Sequence, residues 1–293
     1  MLKNIQGVDS MILQIHQPYR LKDYSIFEVG KNPFYFDSEK DFSHFKEYES
    51  KTLNLLNEIE KSKKKVFVSV SGVMIEKIEK NNSVLKSKIK DLIKKNIIEI
   101  VGETHHSSIS HIFSIKEFEE QVVSHKNLLI KSFNIKPRVF KNTFLAFSES
   151  IAKSVKNLGF EYAIAIHNQE GSMNVNDLKV LGVKKDICKD VTEFDINMSF
   201  DIISKFENVK NIAYEESVFE HIENNLQKSA FEKLFSLEKK VKENSQYLDV
   251  WRSLTSHDHF LNMSKKSFRE DNNPYEYFIN YRNVLEDLSL RLN

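Results

Sequence analysis

Arg138-Val139-Phe140-Lys141-Asn142-Thr143-Phe144-Leu145 is the stretch around which the rest of the chain falls into order. Pro137 precedes it, and Ser148 opens a helical pattern after it. Val139 and Phe140 read as a short buried strand, with Lys141-Asn142-Thr143 as its polar tip. In a parallel sheet or barrel, chemistry gathers at the C-terminal ends of the strands. The position just past this tip, where a reacting side chain would be useful, is Phe144.

Upstream, the apolar run Met11–His16 leads into Gln17-Pro18-Tyr19-Arg20. Pro18 has no N–H to give a ladder, so a strand should stop there. The aromatic and polar segment from Lys22 to Ser43 reads as an ordered loop. Val66–Val70 and Ile97–Val101 are the next strands, the latter running into Gly102-Glu103-Thr104-His105-His106. Between strands, Ser83 caps a helix with Leu85, Ile89, Leu92 and Ile93 on one face, and a later helix aligns Phe118, Val122, His125 and Leu129. Downstream come a helix with Ile151, Val155 and Leu158, then strands at Tyr162–Ile166, Asp195–Phe200 and Val209–Tyr214. Strands alternating with helices predict a parallel sheet in an α/β protein. About seven such units over residues 1–217 predict a closed or nearly closed β/α barrel, with a doubly wound open sheet as the fallback. Residues 218–293 read as a helical extension packed on the barrel. Phe231, Leu234, Phe235, Leu237 and Val241 form one stripe there, and Tyr277, Tyr281, Val284, Leu285 and Leu288 another.

Composition removes several function classes. Lys plus Arg is 43 and Asp plus Glu is 42, so no electrostatic argument favours nucleic acid or an anionic membrane as partner. Cys188 is the one cysteine, which rules out an internal disulfide or a cysteine metal site and favours a reducing compartment. No apolar run approaches the ~20 residues of a membrane span, and the first residues lack a signal-peptide run. The expected location is therefore the cytoplasm. With only 7 glycines there is no glycine-rich phosphate loop, and no cofactor is expected.

Sorted by strand end, the polar residues form a set. His16 and Gln17 follow the first strand, Glu103, Thr104 and His105 the third, Asn142 and Thr143 the fourth, and Glu215 and Glu216 the last. The tail adds Trp251-Arg252-Ser-Leu-Thr-Ser256-His257-Asp258-His259-Phe260. Histidines, carboxylates, amides and aromatics at one mouth suit a sugar, since aromatic faces stack on pyranose rings and polar groups bind hydroxyls. Plainer readings stand beside this one. His16 could cap a strand, His106 and His111 suit the surface, and Trp251 and Phe260 suit a core equally well. His16, His105 and Asp258 could in principle hold zinc, but no H-E-x-x-H or paired-cysteine spacing occurs, and no metal is expected.

These blocks resemble glycoside hydrolase family 57, of the α-amylase and 4-α-glucanotransferase type. The family's opening His-Gln-Pro matches His16-Gln17-Pro18, and its next blocks look like Ser69-Val-Ser71-Gly72-Val73 and Val101-Gly102-Glu103-Thr104. Its F-R-N-T-E-L block matches Phe140-Lys141-Asn142-Thr143-Phe144-Leu145. Its M-D-Y-E-T-F-G-E-H block is similar to Ala213-Tyr214-Glu215-Glu216-Ser217-Val218-Phe219-Glu220-His221, and its S-D-H-F-Y-Y-M block to Ser256-His257-Asp258-His259-Phe260-Leu261-Asn262-Met263. The resemblance implies an incomplete (β/α)7 barrel with a helical extension, acting on α-glucans.

The departures fall on the chemistry. The family's nucleophilic glutamate aligns with Phe144 and its acid/base aspartate with Tyr214, or with Ala213 if the gap is moved, and neither choice supplies a carboxylate. A family histidine aligns with Ser107 and a family arginine with Ser199. Retaining glycosidases need two carboxyl groups about 5–5.5 Å apart. Three readings follow. The first is a catalytically silent relative that binds α-glucans or maltooligosaccharides through His16, Glu103, Trp251, Asp258 and His259. The second is an active hydrolase or glucanotransferase with a relocated pair drawn from Glu103, Glu149, Glu215, Glu216 and Asp258. The third is a structural or regulatory subunit that serves a protein partner.

Overall fold

The structure, a computed structural model, describes residues 10–63, 65–166, 172–183, 200–203, 222, 224–264 and 273–293. The chain divides into two compact units, one made of Met1–Gln17 and His44–Glu215, the other of Pro18–Ser43 and Glu216–Asn293.

In the first unit the order is β1 (Ser10–Ile15), α1 (Ser38–Ser62, most of which belongs here), β2 (Val66–Val70), α2 (Gly72–Lys80), α3 (Val84–Lys94), β3 (Ile98–Val101), α4 (Ile115–Phe133), β4 (Val139–Lys141), α5 (Glu149–Asn157), β5 (Tyr162–Ile166), β6 (Ser172–Val175), β7 (Leu178–Val183) and β8 (Phe200–Ile203). Two four-stranded sheets run β3-β2-β1-β8 and β4-β5-β7-β6. They are joined where Gly102 bridges Phe140 in parallel. There the Gly102 N–H donates to the Val139 carbonyl and the Lys141 N–H to the Gly102 carbonyl, both at 2.8 Å. The β1–β2, β2–β3, β4–β5 and β5–β7 pairs are parallel, as the alternation of strands and helices predicts.

The antiparallel additions differ from that prediction. β8 pairs antiparallel with β1, and β6 and β7 form a hairpin. The hairpin turns on Asn176 and Asp177, both at positive φ (49° and 60°), which is the two-residue geometry that suits strand twist. The expected strand at Asp195–Phe200 overlaps the described residues only at Phe200, which opens β8. The strand expected at Val209–Tyr214 lies outside the described residues.

Strand side chains alternate between two faces. On one, Leu13, Val68, Val70 and Ile100 pack under Met74 and Ile78 of α2, Leu85 and Ile89 of α3 and Leu129 of α4. Farther along, Phe140, Ala163 and Val180 pack under Phe118 and Val122 of α4 and Ile151 and Val155 of α5. The helices form because their apolar residues recur at helical spacing and because Ser71, Ser83, Ser114 and Ser148 each accept a backbone N–H at the N-terminus. On the opposite face, Ile12, Phe67, Val101, Val139, Ile164 and Leu181 from six different strands join Leu145 in one cluster with no α-helical member.

The second unit contains α6 (Asn225–Ser236), α7 (Glu238–Glu243), α8 (Leu248–Leu254), α9 (His257–Leu261) and α10 (Pro274–Arg291). The predicted stripe on α10 is buried at Tyr281, Val284, Leu285 and Leu288. The loop from Lys22 onward is anchored along α10. The Tyr24 N–H donates to Asn280 Oδ1 at 2.7 Å, and Asn283 Nδ2 donates to the Tyr24 carbonyl at 3.0 Å. Tyr35 and Arg291 both donate to the buried carboxylate of Asp287. Among the described residues, no helix is long and apolar enough to cross a membrane.

Candidate functional site

The register at Gly102 and Phe140 sets Glu103 beside Lys141. Gln14 pairs with Ser69 on β1 and β2. These four side chains share the face of the inner apolar cluster and stand one step beyond it, toward the C-terminal ends of the parallel strands. A polar layer therefore lies directly on an apolar one.

Glu103 is fully buried. Its Oε1 accepts from the Ser69 hydroxyl at 2.6 Å, while Oε2 is buried without a hydrogen-bond partner. Burial acts to raise its pKa, but the Lys141 ammonium, with help from His125, Ser69 and His16, more than offsets this and holds it below the ordinary carboxylate range. Lys141 is itself buried, and its Nζ donates to Gln14 Oε1 at 2.7 Å. Gln14 Nε2 donates to the Ser107 hydroxyl at 3.4 Å.

His125 supports Glu103 from behind. Its Nδ1 accepts the Glu103 N–H at 3.0 Å, so the proton sits on Nε2, which donates to the Val70 carbonyl at 2.8 Å. Burial pushes its pKa down to about 4, leaving it neutral at pH 7. His16 is buried. Its N–H donates to the Tyr48 hydroxyl at 3.1 Å, and its Nδ1 lies 2.7 Å from the hydroxyl of Ser71, the residue that caps α2.

The turn after β4 is tied down at several points. Asn142 Nδ2 donates to the Ala146 carbonyl at 3.0 Å, and its Oδ1 is buried without a hydrogen-bond partner. Thr143 Oγ1 donates to the Ser108 carbonyl at 2.8 Å. Phe144 (φ 57°, ψ 15°) and Leu145 (φ 56°) both take left-handed backbone conformations. Leu145 enters the inner apolar cluster, and Phe144 stays partly exposed.

The histidines of the β3–α4 loop correct the surface reading of His106 and His111. His106 is buried, and both ring nitrogens of His111 are buried without hydrogen-bond partners. The loop folds back on α4, where the His105 N–H donates to the Gln121 carbonyl and the His106 N–H to Gln121 Oε1, both at 3.3 Å. His105 is held between helices, with Nε2 3.0 Å from Glu76 and Nδ1 3.0 Å from Ser124. A side chain at Gly72 would collide with that ring at 2.5 Å. Glu149 is exposed in the first turn of α5.

In the second unit, Asp258 Oδ2 accepts from the Ser256 hydroxyl at 2.8 Å and faces His257 Nδ1 at 3.4 Å. His259 lies 3.2 Å from the Ser253 carbonyl through Nε2, so Nδ1 accepts from the Tyr277 hydroxyl at 2.7 Å. Trp251 is fully buried, its indole N–H donating to the Leu234 carbonyl at 2.8 Å and its ring edge-on to Phe235. Phe260 likewise packs against Phe231. Ser199, Tyr214, Glu215 and Glu216 lie outside the described residues.

The sequence reading did not single out Gln14, Ser69 or His125. Each carried a signal. Gln14 and Ser69 interrupt apolar strands at alternating positions, and His125 interrupts an apolar helical stripe.

A mostly parallel sheet with helices on one face, and a layer of polar side chains at its strand ends, defines an α/β protein with a polar site at the C-terminal edge of the sheet. Residues 10–184 match the glycosyl hydrolase family 57 profile, and the chain belongs to that family. A Methanocaldococcus jannaschii protein named "Putative alpha-amylase" is 31% identical over 159 residues, which is 50% of this chain and 33% of the relative. The chain thus spans about one third of the length of that curated relative. Among solved structures, a family 57 branching enzyme of Thermococcus kodakaraensis aligns over 96% of this chain and 67% of its own at 12% identity and a TM-score of 0.44. The 4-alpha-glucanotransferase of Thermococcus litoralis aligns over 61% and 28% at 16% identity and a TM-score of 0.41. Neither structural likeness is close enough to carry an argument.

Proposed function

We propose that this chain recognises α-glucans through an incomplete (β/α)7 barrel and neither hydrolyses nor transfers them. Phe144 carries the reading. The family resemblance assigns the nucleophilic carboxylate to this position, and an apolar ring cannot attack an anomeric carbon. The matching acid/base position holds Tyr214, whose phenol, with a pKa of about 10, is a poor proton donor at neutral pH. The relocated pair gains no support from Glu149, which is exposed in the first turn of α5.

What remains favours binding. Glu103 is a buried carboxylate held below the ordinary carboxylate range beside Lys141, and its Oε2 has no hydrogen-bond partner within the fold. His16 and Glu103 in the first unit are the proposed sugar contacts. Asp258 and His259 are carried as contacts by the family resemblance alone, and Trp251 serves the core of the second unit. The barrel reading is supported by the apolar cluster shared by six strands and by the closeness of β7 to β8. Residues 218–293 form the helical extension of this reading, and the cytoplasm is its compartment.

Incubation with a panel of maltooligosaccharides, followed by product analysis, tests the proposal. It expects the sugars to be recovered intact. New products that vanish in a Glu216→Gln variant would overturn it.

A further inference from the structure

We propose that Ser124, His105 and Glu76 form a second reactive centre, a hydroxyl–imidazole–carboxylate relay between α2 and α4 that makes Ser124 a nucleophile toward small acyl esters. It is independent of the glucan-binding reading above, because it uses none of the residues given to the sugar.

The three side chains form a chain of hydrogen bonds. Ser124 Oγ is 3.0 Å from His105 Nδ1, and His105 Nε2 is 3.0 Å from Glu76 Oε1. An ionised carboxylate only accepts hydrogen bonds, so the proton of the neutral ring sits on Nε2 and Nδ1 keeps its lone pair. The Ser124 hydroxyl therefore donates to Nδ1. A serine inside a helix can bond the carbonyl four residues back along its own helix, but Ser124 turns to the ring. A hydroxyl on a base, with the base oriented by a carboxylate, is the arrangement of an activated nucleophile, and it is recognised by geometry rather than by order in the sequence. A clasp that only joined α2 to α4 would need the bonds but not this order of groups.

The seat of the ring is fixed from both sides. The His105 N–H donates to the Gln121 carbonyl of α4, and the His105 carbonyl accepts the Val73 N–H of α2, both at 3.3 Å. Gly72 lies so close to the ring that an added Cβ would stand 2.5 Å from it. His105 is buried and Ser124 half-buried, so the base is shielded while the serine reaches the surface. Asn127, exposed and three residues on, neighbours Ser124 on the helix surface and offers an amide N–H to a developing oxyanion. In the reaction, Ser124 Oγ bonds to the ester carbonyl carbon while its proton passes to His105 Nδ1. The C–O bond to the leaving alkoxide then breaks, and that proton goes to the departing alcohol. Water, giving a proton to the same nitrogen, attacks the acyl-serine; the carboxylic acid leaves and the proton restores the Ser124 hydroxyl. Glu76 is a positioning residue that acts through the ring.

The test is incubation of the full chain with an alkyl fluorophosphonate and, separately, with p-nitrophenyl acetate, followed by peptide mapping, with a melting curve for every variant. The fluorophosphonate should add at Ser124 with loss of fluoride, and p-nitrophenyl acetate should acetylate the same residue and turn over. Ser124→Ala should lose both reactions. His105→Gln should slow them by about 100-fold, the scale of one general base. Glu76→Gln should lower kcat with KM unchanged, and Glu76→Asp should recover most of it, whereas a purely structural role would move the melting temperature and leave kcat alone. Mapping on the wild type needs no variant to fold: no adduct, or adducts only on other residues, overturns the proposal. Wild-type rates in folded Ser124→Ala or His105→Gln overturn it equally.

Discussion

The backbone N–H of Glu103 donates to Nδ1 of His125 at 3.0 Å, and the far side of the same ring donates to the Val70 carbonyl at 2.8 Å. One neutral imidazole thus ties the end of β3 to the end of β2 from a helix behind the sheet. The bond fixes the backbone that aims the Glu103 carboxylate, and it exists only while Nδ1 lacks a proton.

That bond makes the fold acid-sensitive. His125 is held down to about 4, so as pH falls from neutral the unfolded chain takes up this proton first. Its contribution is complete above the ordinary histidine value of about 6.5 and lost as pH approaches 4, amounting to about 3 kcal/mol. Buried His111, pushed down to about 3, acts in the same sense. Glu103, held below the ordinary carboxylate range, adds a further loss at lower pH. Urea midpoints between pH 7.5 and 4.5 should fall for wild type, and His125→Gln should remove about half of the slope. A flat wild-type profile would contradict this assignment.

Gly102→Ala should destabilise the protein. An added Cβ would lie 2.6 Å from the Phe160 ring, and Gly102 makes the bridge that joins the two sheets. A loss of about 1–3 kcal/mol is expected from such overpacking. An unchanged denaturation midpoint would show that the junction of β3 and β4 is looser than its register implies.

Glu103 and Lys141 should behave as a coupled pair. Glu103→Gln removes a negative charge that attracts the buried Lys141 ammonium, and Lys141→Met removes the charge that does most to lower the Glu103 pKa, so each should destabilise the protein. The double variant should cost clearly less than the sum of the two. Strict additivity in a double-mutant cycle would mean that the two charges do not sense each other.

Restoring one carboxylate should not restore chemistry. Phe144→Glu alone is expected to leave maltooligosaccharides intact, because Tyr214 still stands at the matching acid/base position. Products from this single variant would show that a proton donor is already present in the site.

Much of this architecture was legible in the sequence because buried strands and amphipathic helices leave periodic signatures. Val66–Val70, Tyr162–Ile166 and the Ser83-capped helix appear in the fold where the pattern put them. The β6–β7 hairpin escaped because Asn176-Asp177 is a weaker turn signal than Asn-Gly and its strands are short. Within the site, the residues at strand tips were readable, since a polar tip after an apolar run is conspicuous. The support behind them was not. Sequence spacing cannot say that a histidine on α4 reaches the backbone of β3, or that the loop carrying His106 turns inward to bury it. Nor does the sequence reveal that Phe144 is left-handed, because that follows from where Leu145 must go.

The most direct test of the account is the melting temperature of the full chain with maltooligosaccharides of increasing length, each sample being kept for product analysis. A ligand at 100 times its Kd should stabilise the fold by about 2.7 kcal/mol, a rise of several degrees at this chain size. The account predicts that rise with every sugar recovered unchanged. No rise at any length, or a rise accompanied by new products, would contradict it.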